Sequence, residues 1–518
     1  MSIENKNLPQ IPKEKFAFAH TGDRISDKKF DDKPIGYFKD AWLRFRKNKA
    51  SILAAIIIIC IVLFAIFTPM LNTRYDSTFM DPYYAKMSPR NVFLSQFGIA
   101  TGGVERAFNE RGYMLSLAIG VGADGYDGET VAANKSDKKY QPILELKDVR
   151  DNKVTNKITY NAVIDTYLEV GFRYIQIEQS QFAEIRAYEE ETGLHILFPL
   201  VAENEFCADK TNANYWYKAD GKLNPVRADG SEIPYSEDMV FEDNYMRDAE
   251  GNPVYHVYTG GGDVNTAQYK VRVLYYNYYR YINGFEPEYI FGTDSQGYDL
   301  SLRMAIGIRL SLLVAVFVSV INFILGAIYG AIEGYYGGVV DLVMERIAEI
   351  LSGIPFIIVA TLFQIHLAQK VGPIPSLLFA FVVTGWIGTA SRVRTQFYRF
   401  KNQEYVMAAR TLGAKDSRVI WKHIFPNCLG TIITSSVLVI PGVIFSESML
   451  SFLGIVNLGG SKMTSLGTLL SDASSIWTNY PHLMIFPAII ISLLMICFNL
   501  FGNGLRDAFN PSLRGVED

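Results

Sequence analysis

A polar, basic stretch between two hydrophobic segments carries the residue types and spacing of a docking surface. Read as a helix, it places four residues on one face at the i, i+3, i+4, i+7 spacing, namely Tyr405, Ala408, Ala409 and Leu412. The two alanines keep that face shallow, so the backbone of another protein can approach it closely. Gly413 then permits a turn that other residues resist. The pattern predicts a short helix with a face for a partner protein.

A second amphipathic run follows this turn. It extends from Asp416 to Ile424 and is expected to end before Pro426, because proline interrupts a helix. The alternative is an ordinary cytoplasmic loop between two membrane spans, and spacing alone favours this alternative. Together the two runs predict a helix, a glycine turn and a second helix at the membrane surface.

The order of residues in this stretch resembles a known family signature. Met407-Ala408-Ala409 is followed by Gly413 and later by Ile424-Phe425-Pro426. This resembles the EAA loop of ABC importer permeases, although Met407 stands where the family has glutamate. The resemblance implies that the segment couples the chain to ATPase subunits through six residues: Glu404, Tyr405, Ala408, Ala409, Leu412 and Gly413.

The apolar residues are concentrated in segments long enough to cross a bilayer. The whole chain of 518 residues is 49% hydrophobic with a formal charge of −4, which alone would suit a soluble protein. Residues 50–71, however, contain a run of about 21 uncharged residues, enough for a transmembrane helix. Further candidate spans lie at about 305–332, 350–369, 374–391, 428–456 and 480–503. The sequence therefore predicts an α-helical polytopic membrane protein with six spans.

The distribution of Lys and Arg predicts the orientation. Basic residues precede the first span and fill the loop 392–427, so the N-terminus, this loop and the C-terminus are expected to be cytoplasmic. We predict a polar cytoplasmic tail at 1–34 and an interfacial amphipathic helix at 35–49. A soluble helix packed on a partner is the alternative for the latter. No cleavable signal peptide is apparent, so the first span is expected to remain as an anchor.

A long acidic insertion separates the first two spans. Residues 72–300 contain 22 Lys and Arg against 35 Asp and Glu, a net charge of −13, while the rest of the chain has +9. The length suffices for a separate core, and we predict an extracytoplasmic mixed α/β domain. Four strands are expected, at Val154–Tyr160, Tyr174–Ile177, Leu194–Val201 and Val271–Tyr281. One helix is expected at Gln181–Thr192, and it stops at Gly193.

Two features of the insertion invite a functional interpretation. The run from Asp124 to Glu129 contains Asp-Gly pairs but lacks the ligand spacing of an EF-hand, so it predicts turns rather than a metal site. The tyrosine cluster Tyr275–Tyr281 is compatible with a recognition surface or with a half-buried strand. Cys207 is the only cysteine in the insertion, so no internal disulfide is expected there.

No catalytic motif is present in the sequence. There is no G-x-x-x-x-G-K-[ST], H-E-x-x-H or G-x-S-x-G pattern, and the six histidines are scattered without ligand spacing. We therefore predict that the chain is not an enzyme and has no catalytic residue, metal or cofactor. ATP and Mg²⁺ would be bound by partner subunits.

Further motifs resemble the peptide-type permeases of the same family. The segment before the second span matches their Gly-Thr-Asp-x-x-Gly-Arg-Asp pattern at Gly292, Thr293, Asp294, Gly297 and Asp299, with Tyr298 in place of arginine. Independently of the family, Asp299 is expected to cap the following helix. The region between the second and third spans, the fifth span and the C-terminus also match, at Gly334–Gly338, Ser352–Pro355, Glu447, Leu450–Gly454, Gly504–Asp507 and Asn510-Pro511.

Glu447 is the one of these residues with an unusual environment. A carboxylate inside a membrane span is costly and usually faces a cavity or a partner, and the family motif implies a place near the translocation path. The alternative is a residue at a helix end that reaches the membrane interface.

Residues 35–71 and 285–514 together resemble the C-type inner-membrane subunit of an oligopeptide or dipeptide ABC importer. The resemblance implies the type I ABC importer permease fold, with a five-span core at 301–514, and a bacterial cytoplasmic membrane. It also implies three kinds of partner: a second permease, two ATPase subunits and an extracytoplasmic substrate-binding protein. The alternatives are import of nickel chelates or oligosaccharides by the same machinery and, more distantly, a membrane-anchored ligand sensor.

Overall fold

The computed structural model describes residues 37–123, 139–152, 157–201, 245, 248, 250–260, 268–460 and 462–509. Its helices in chain order are Tyr37–Lys47 (α1), Lys49–Leu71 (α2), Val92–Ser95 (α3), Glu110–Ala123 (α4), Thr166–Glu169 (α5), Gln179–Thr192 (α6), Tyr275–Asn283 (α7), Leu300–Tyr336 (α8), Gly338–Ser352 (α9), Phe356–His366 (α10), Ala368–Val371 (α11), Pro373–Gly385 (α12), Ile387–Phe400 (α13), Glu404–Thr411 (α14), Asp416–Arg418 (α15), Phe425–Val437 (α16), Val439–Phe452 (α17), Leu466–Ala473 (α18) and His482–Phe509 (α19). Its strands are Gly103–Asn109 (β1), Ile143–Asn152 (β2), Lys157–Asp165 (β3), Phe172–Glu178 (β4), Leu197–Phe198 (β5), His256–Gly260 (β6) and Gln268–Leu274 (β7).

The helical part contains five helices long and apolar enough to cross a membrane within the described residues: Lys49–Leu71, Leu300–Tyr336, Pro373–Phe400, Asp416–Phe452 and His482–Phe509. Helices α9 and α10 pass the same test only when taken together, and they are bent by 72° relative to each other. Five of the six predicted spans therefore correspond to one of these five segments, and the third, expected at 350–369, corresponds to the bent pair. Pro355 lies between α9 and α10 and disfavours a helical conformation of the residue before it, which accounts for the break.

The longest spans pack closely because small residues line their contacts. Three glycines one turn apart on α8, Gly326, Gly330 and Gly334, lie against the backbone of α13. A methyl group on Gly330 would come within 2.2 Å of the carbonyl oxygen of Ala390. Stripes of small residues bring membrane helices together where there is no hydrophobic driving force between them. The contact fixes α13, which leads directly to α14, against the centre of the bundle.

The N-terminal helix α1 packs within the chain as well as facing outward. Phe45 and Ala41 are buried, and the Phe45 ring meets Phe501 of α19 edge to face at 5.5 Å. Trp42 remains exposed. The apolar face of the predicted amphipathic helix is thus divided. Part of this face packs on the C-terminal helix, and Trp42 is free to face the membrane interface, where tryptophan is enriched.

The insertion is a mixed α/β region, as predicted. One antiparallel sheet has the order β1-β3-β2, and in the second β7 pairs with β4, β5 and β6. Helix α6 ends at Gly193, which adopts a left-handed conformation with φ of 68°. A buried cluster rich in tyrosine joins the first sheet to the residues that follow α2 and precede α8. The segment from Asp124 to Glu129 and Cys207 lie outside the described residues.

The tyrosine cluster is the main error in the predicted insertion. The run Val271–Tyr281 is strand only as far as Leu274, and the tyrosines lie on α7. Tyr275, Tyr276 and Tyr279 are buried, so they form part of the core rather than a recognition surface. Burial raises the pKa of Tyr276 to about 12. Aromatic residues suit a strand and a buried helix equally well, which is why composition misassigned this segment.

Candidate functional site

Helix α14 lies at the end of the bundle opposite the insertion and presents most of the predicted docking face to its surroundings. Tyr405, Ala408 and Leu412 are exposed, and Leu412 is 88% exposed. Ala409 is only 9% exposed and lies on the inner side of the helix with Val406. Its predicted place on the exposed face was therefore wrong, since it serves to attach the helix to the bundle. We call Glu404–Thr411 with Leu412 the coupling helix.

The turn after the coupling helix closes as its glycine predicts. Gly413 has φ of +81°, a conformation that side chains rarely adopt. Its N–H donates to the carbonyl of Arg410 at 2.9 Å, and the N–H of Ala414 donates to the carbonyl of Ala409 at 3.1 Å. These bonds satisfy the last carbonyls of the helix in the manner of a Schellman motif. The helix end is consequently defined by the chain itself.

We had predicted that the run after the turn ends before Pro426, and this was wrong. A continuous helical element extends from Asp416 to Phe452, and its residues Val419–Ile424 form a π-helix. Proline lacks an N–H and crowds the carbonyl four residues before it. The wider π-turn accommodates that proline, and π-turns often occur at functional sites. The second helix is therefore the first part of a membrane span. The turn at Gly413 connects the coupling helix to this span.

Polar contacts hold the coupling helix to the base of α8. The hydroxyl of Tyr335 donates to a carboxylate oxygen of Asp416 at 2.6 Å, and the guanidinium of Arg410 lies 4.9 Å from the Tyr335 ring centroid. The Tyr405 hydroxyl accepts a hydrogen bond from Asn427 at 3.3 Å. These contacts supplement the apolar cluster beneath Val406. The helix thus has a fixed position relative to two spans.

A charged cluster lies immediately beside this attachment. Arg394 of α13 pairs with Asp341 at 2.6 Å and with Glu345 at 3.2 Å, and lies 3.4 Å from the fully buried Glu333. One guanidinium therefore connects α13 to α8 and to α9. A bidentate arginine fixes both distance and orientation, so the three helices keep their arrangement at the level from which α14 departs.

The predicted pre-span motif forms a buried structure, which we call the outer clasp: Gly292, Thr293, Asp294, Gly297 and Asp299. The Asp294 carboxylate accepts hydrogen bonds from the N–H groups of Gln296, Gly297 and Tyr298. It also pairs with Arg303 of α8 at 3.3 Å. Burial raises the pKa of Asp294, while the three N–H donors and Arg303 oppose the shift.

Other residues of the outer clasp join it to the beginning of the insertion. Thr293 accepts a hydrogen bond from the N–H of Met87 at 2.8 Å. Asp299 caps α8 by accepting from the N–H of Ser301 at 2.8 Å, as predicted, and also accepts from Asn72 at 3.1 Å. The clasp therefore links the exit of the first span to the entrance of the second. These roles are structural, and they explain why the motif contains two aspartates and a threonine.

Glu447 lies inside the bundle rather than at a helix end. It is 1% exposed, and its carboxylate accepts hydrogen bonds from Ser311 at 2.8 Å and Ser451 at 3.1 Å. Ser448 is a third hydroxyl neighbour. The alternative of a residue reaching the membrane interface was wrong. Glu447 does not line an open path in this conformation either, and its contacts join α17 to α8.

A cleft that sequence reasoning did not single out lies between α13, α16 and α19. It has a volume of about 340 Å³ and is lined by hydroxyl and amide side chains, by Ile432 and Leu438, and by Arg392 and Arg506. Arg392 had been placed in the loop after the fourth span, and Arg506 in the motif that follows the last span. The signal that could have found the cleft is the series Thr431, Thr434 and Ser435 on one side of a membrane helix, which is expensive unless it faces water or a partner.

Apolar helices long enough to cross a membrane, with a short exposed helix between two of them, define an α-helical membrane protein. The family described as "Binding-protein-dependent transport system inner membrane component" matches residues 323–515. A second family, "N-terminal TM domain of oligopeptide transport permease C", matches residues 36–89. The two matches lie on either side of the sheet-forming part of the insertion.

The similarity to curated proteins extends over most of their length. The chain is 40% identical to "Oligopeptide transport system permease protein OppC" of Bacillus subtilis, over 43% of this chain and 72% of the relative. It is 42% identical to "Oligopeptide transport system permease protein OppC" of Escherichia coli, over 44% of this chain and 74% of the relative. The chain therefore belongs to the family of binding-protein-dependent transport permeases. Within it, the chain is an ABC permease of the oligopeptide and dipeptide type.

Structural similarity is more limited. A chain of the solved structure titled "Inward facing conformations of the MetNI methionine ABC transporter: CY5 native crystal form" is 15% identical, with a TM-score of 0.33, over 40% of this chain and 96% of that chain.

Proposed function

We propose that this chain is the transmembrane subunit of an ATP-driven peptide importer, which forms the translocation path with a second permease and receives the work of ATP hydrolysis through the coupling helix. The observation that carries the proposal is the coupling helix itself. It is exposed on Tyr405, Ala408 and Leu412, yet fixed to the bundle by Val406 and Ala409. Relatives named as oligopeptide and dipeptide permeases support the substrate class.

The attachment of this helix suits the transmission of movement. Its two ends continue into α13 and, after Gly413, into the helical element that ends at Phe452. A force on the exposed face is therefore delivered to two spans at once, and Tyr335 and Asp416 connect it to α8. Coupling at a distance needs a rigid element with two positions. We infer that ATP binding by two partner ATPases moves this element and switches the spans between inward-facing and outward-facing arrangements.

The cleft beside α16 is our candidate for part of the path. Its lining combines hydroxyl and amide groups with Ile432 and Leu438, and it includes Arg392 and Arg506. Cationic side chains in such a position suit a substrate that carries carboxylates, as peptides do. We propose that Glu447, by contrast, acts within the bundle to hold α17 against α8 through Ser311. In this proposal, substrate would reach the cleft from an extracytoplasmic binding protein.

The proposal places the coupling helix and both termini in the cytoplasm of a bacterium and the insertion on the outer side of its inner membrane. Lys and Arg are abundant at the coupling end, whereas the insertion has a net charge of −13. Basic residues are retained on the cytoplasmic side during membrane insertion. ATP and Mg²⁺ would be bound by the partner subunits.

The experiment is transport by the reconstituted complex. The chain is purified with its partner subunits, placed in proteoliposomes and tested for ATP-dependent uptake of labelled dipeptides and oligopeptides. Uptake of peptides, together with recovery of peptide from the binding protein, is the expected result. ATP-dependent uptake of a nickel chelate or an oligosaccharide, with no peptide uptake, would refute the substrate class and leave the coupling mechanism standing. Ligand binding without any ATP-dependent uptake would favour a sensor.

A further inference from the structure

A short apolar segment projects from the insertion beside the first span. Residues 91–100, which we call the aromatic loop, contain α3 and carry four large apolar side chains that are more than half exposed: Val92 (55%), Phe93 (66%), Phe97 (67%) and Ile99 (61%). The sequence from 91 to 104 contains no charged residue. A contiguous group of exposed apolar residues on an otherwise acidic domain indicates a surface that meets another apolar phase.

The aromatic loop is closed on itself by its own hydrogen bonds. The N–H of Asn91 donates to the carbonyl of Ala100 at 2.9 Å, which joins the two ends. The Asn91 side chain accepts from the N–H of Leu94 at 2.9 Å, and the N–H of Ile99 donates to the Leu94 carbonyl at 3.2 Å. Phe93 and Phe97 meet edge to face at 5.6 Å. Backbone groups that are already paired reduce the cost of entering a lipid environment.

The base of the aromatic loop is fixed at the outer end of the first span. Glu288 accepts hydrogen bonds from the side chain of Asn91 and from the N–H of Val92, each at 2.9 Å. The same carboxylate pairs with Arg74, which follows α2 by only three residues. The polar group formed by Arg74, Glu288 and Asn91 therefore lies directly after the end of the first apolar span, and the loop extends from it.

The surface around this base adjoins the exposed end of the first span. Leu71, the last residue of α2, is 74% exposed and lines a cleft of about 470 Å³ together with Asn91 and Ile290. Ile290 is itself exposed. Arg74 and Glu288 line the same cleft, so a polar base joins the exposed apolar residues at the end of the span to those of the aromatic loop. A charged protein partner would find no counter-charge on the loop.

We propose that the aromatic loop inserts into the leaflet of the bilayer on the insertion side, as a second attachment of the insertion to the membrane. Burying Phe93, Phe97 and Ile99 among acyl chains removes apolar surface from water, and aromatic side chains suit the interfacial region. The insertion continues at its two ends into α2 and α8, and in the proposed function, on which this inference rests, these spans move during transport. A lipid attachment holds it at a constant height above the membrane while those spans change position.

The experiment measures lipid contact in the full chain reconstituted into nanodiscs of phosphatidylcholine and phosphatidylglycerol. All four native cysteines are replaced by serine, and a single cysteine is placed at Phe97 and labelled with an environment-sensitive nitrobenzoxadiazole dye. The matched control carries the label at Val149, an exposed apolar position on β2. We expect severalfold stronger quenching by doxyl-labelled lipid at position 97 than at 149, and the reverse order with aqueous iodide.

Two results would overturn the proposal. Iodide quenching at position 97 equal to that at 149 would place the loop in water. Protection from both quenchers would show that protein covers it. Because labelling changes the loop, the unaltered chain is also photolabelled with a diazirine phospholipid and digested for mass spectrometry. We expect severalfold more adduct in the peptide containing 92–99 than in the one containing 144–149, and equal yields would again contradict lipid insertion.

Discussion

The outer clasp and the coupling helix are both family motifs, yet they use their residues in opposite ways. In the clasp, Asp294 and Thr293 are buried and bonded within the chain. In the coupling helix, Leu412 and Tyr405 are exposed, whereas Val406 and Ala409 are buried against the bundle. A motif whose side chains are internally satisfied preserves the fold. A motif whose side chains face outward is available to a partner.

The glycines of the two motifs make the same distinction. Gly297 and Gly413 both have positive φ, at 99° and 81°. A methyl group on Gly297 would lie 1.9 Å from the carbonyl oxygen of Asp81, whereas nothing lies within 4 Å of the same position on Gly413. One glycine is required by a close approach as well as by its conformation, and the other by conformation alone. Substitutions can separate these two requirements.

The largest effect is expected for Gly297→Ala. The new methyl group clashes with the backbone of Asp81 and is also strained by the positive φ, so we expect a destabilisation of about 3 kcal/mol or more. The measurement is the yield of folded protein in the membrane and its melting temperature in detergent. Gly284→Ala is the matched control, because Gly284 has φ of 76° in open space and the strain alone costs about 1 kcal/mol. Equal losses of stability in both variants would show that the close approach of Gly297 to Asp81 does not stabilise the fold.

The next effect concerns coupling. Leu412→Glu places a charge on the most exposed apolar residue of the coupling helix, so we expect normal folding but loss of most substrate-stimulated ATP hydrolysis in the reconstituted complex. Ala409→Glu is the contrasting variant: its carboxylate would enter a buried contact and cost several kcal/mol of stability. The measurements are melting temperature and ATPase activity of each variant. Full coupling in Leu412→Glu would show that this face does not meet the ATPase.

These contrasts also indicate what the sequence could reveal. Hydropathy located the five long apolar segments and the bent pair of α9 and α10, and motif spacing located the coupling helix and the cap at Asp299, because these depend on local residue order. It could not show that Ala409 faces inward, since both sides of that helix carry small residues. Sequence reasoning also assigned Tyr275–Tyr281 to a strand instead of a helix and ended a helix before Pro426. Both outcomes depend on packing against residues far away in the chain. The exposure of the apolar side chains of the aromatic loop could be recognised only from the three-dimensional positions of its neighbours.

A smaller effect is expected for Glu447→Gln, which tests whether a buried residue of the core behaves like the clasp. Glutamine has nearly the same shape and retains one oxygen acceptor for Ser311 or Ser451, so we expect a loss of about 1–2 kcal/mol of stability with assembly retained. The measurement is thermal unfolding together with peptide uptake. Ser311→Ala is the paired variant, and a double-mutant cycle should show that the two losses are not additive. Strongly reduced uptake with unchanged stability would return Glu447 to the translocation path.

The smallest effect is expected for Gly413→Ala. Because nothing lies within 4 Å of its added methyl group, only the strain of a positive φ remains, about 1 kcal/mol. We expect a slightly lower melting temperature and nearly normal ATP hydrolysis and uptake. Gly388→Ala, in α13 with open space and an ordinary helical conformation, is the control without strain. If Gly413→Ala instead abolished coupling while the protein stayed as stable as Gly388→Ala, the ATPase would have to approach the Gly413 backbone directly. The coupling turn would then resemble the outer clasp, with the close neighbour supplied by a partner subunit instead of by the chain itself.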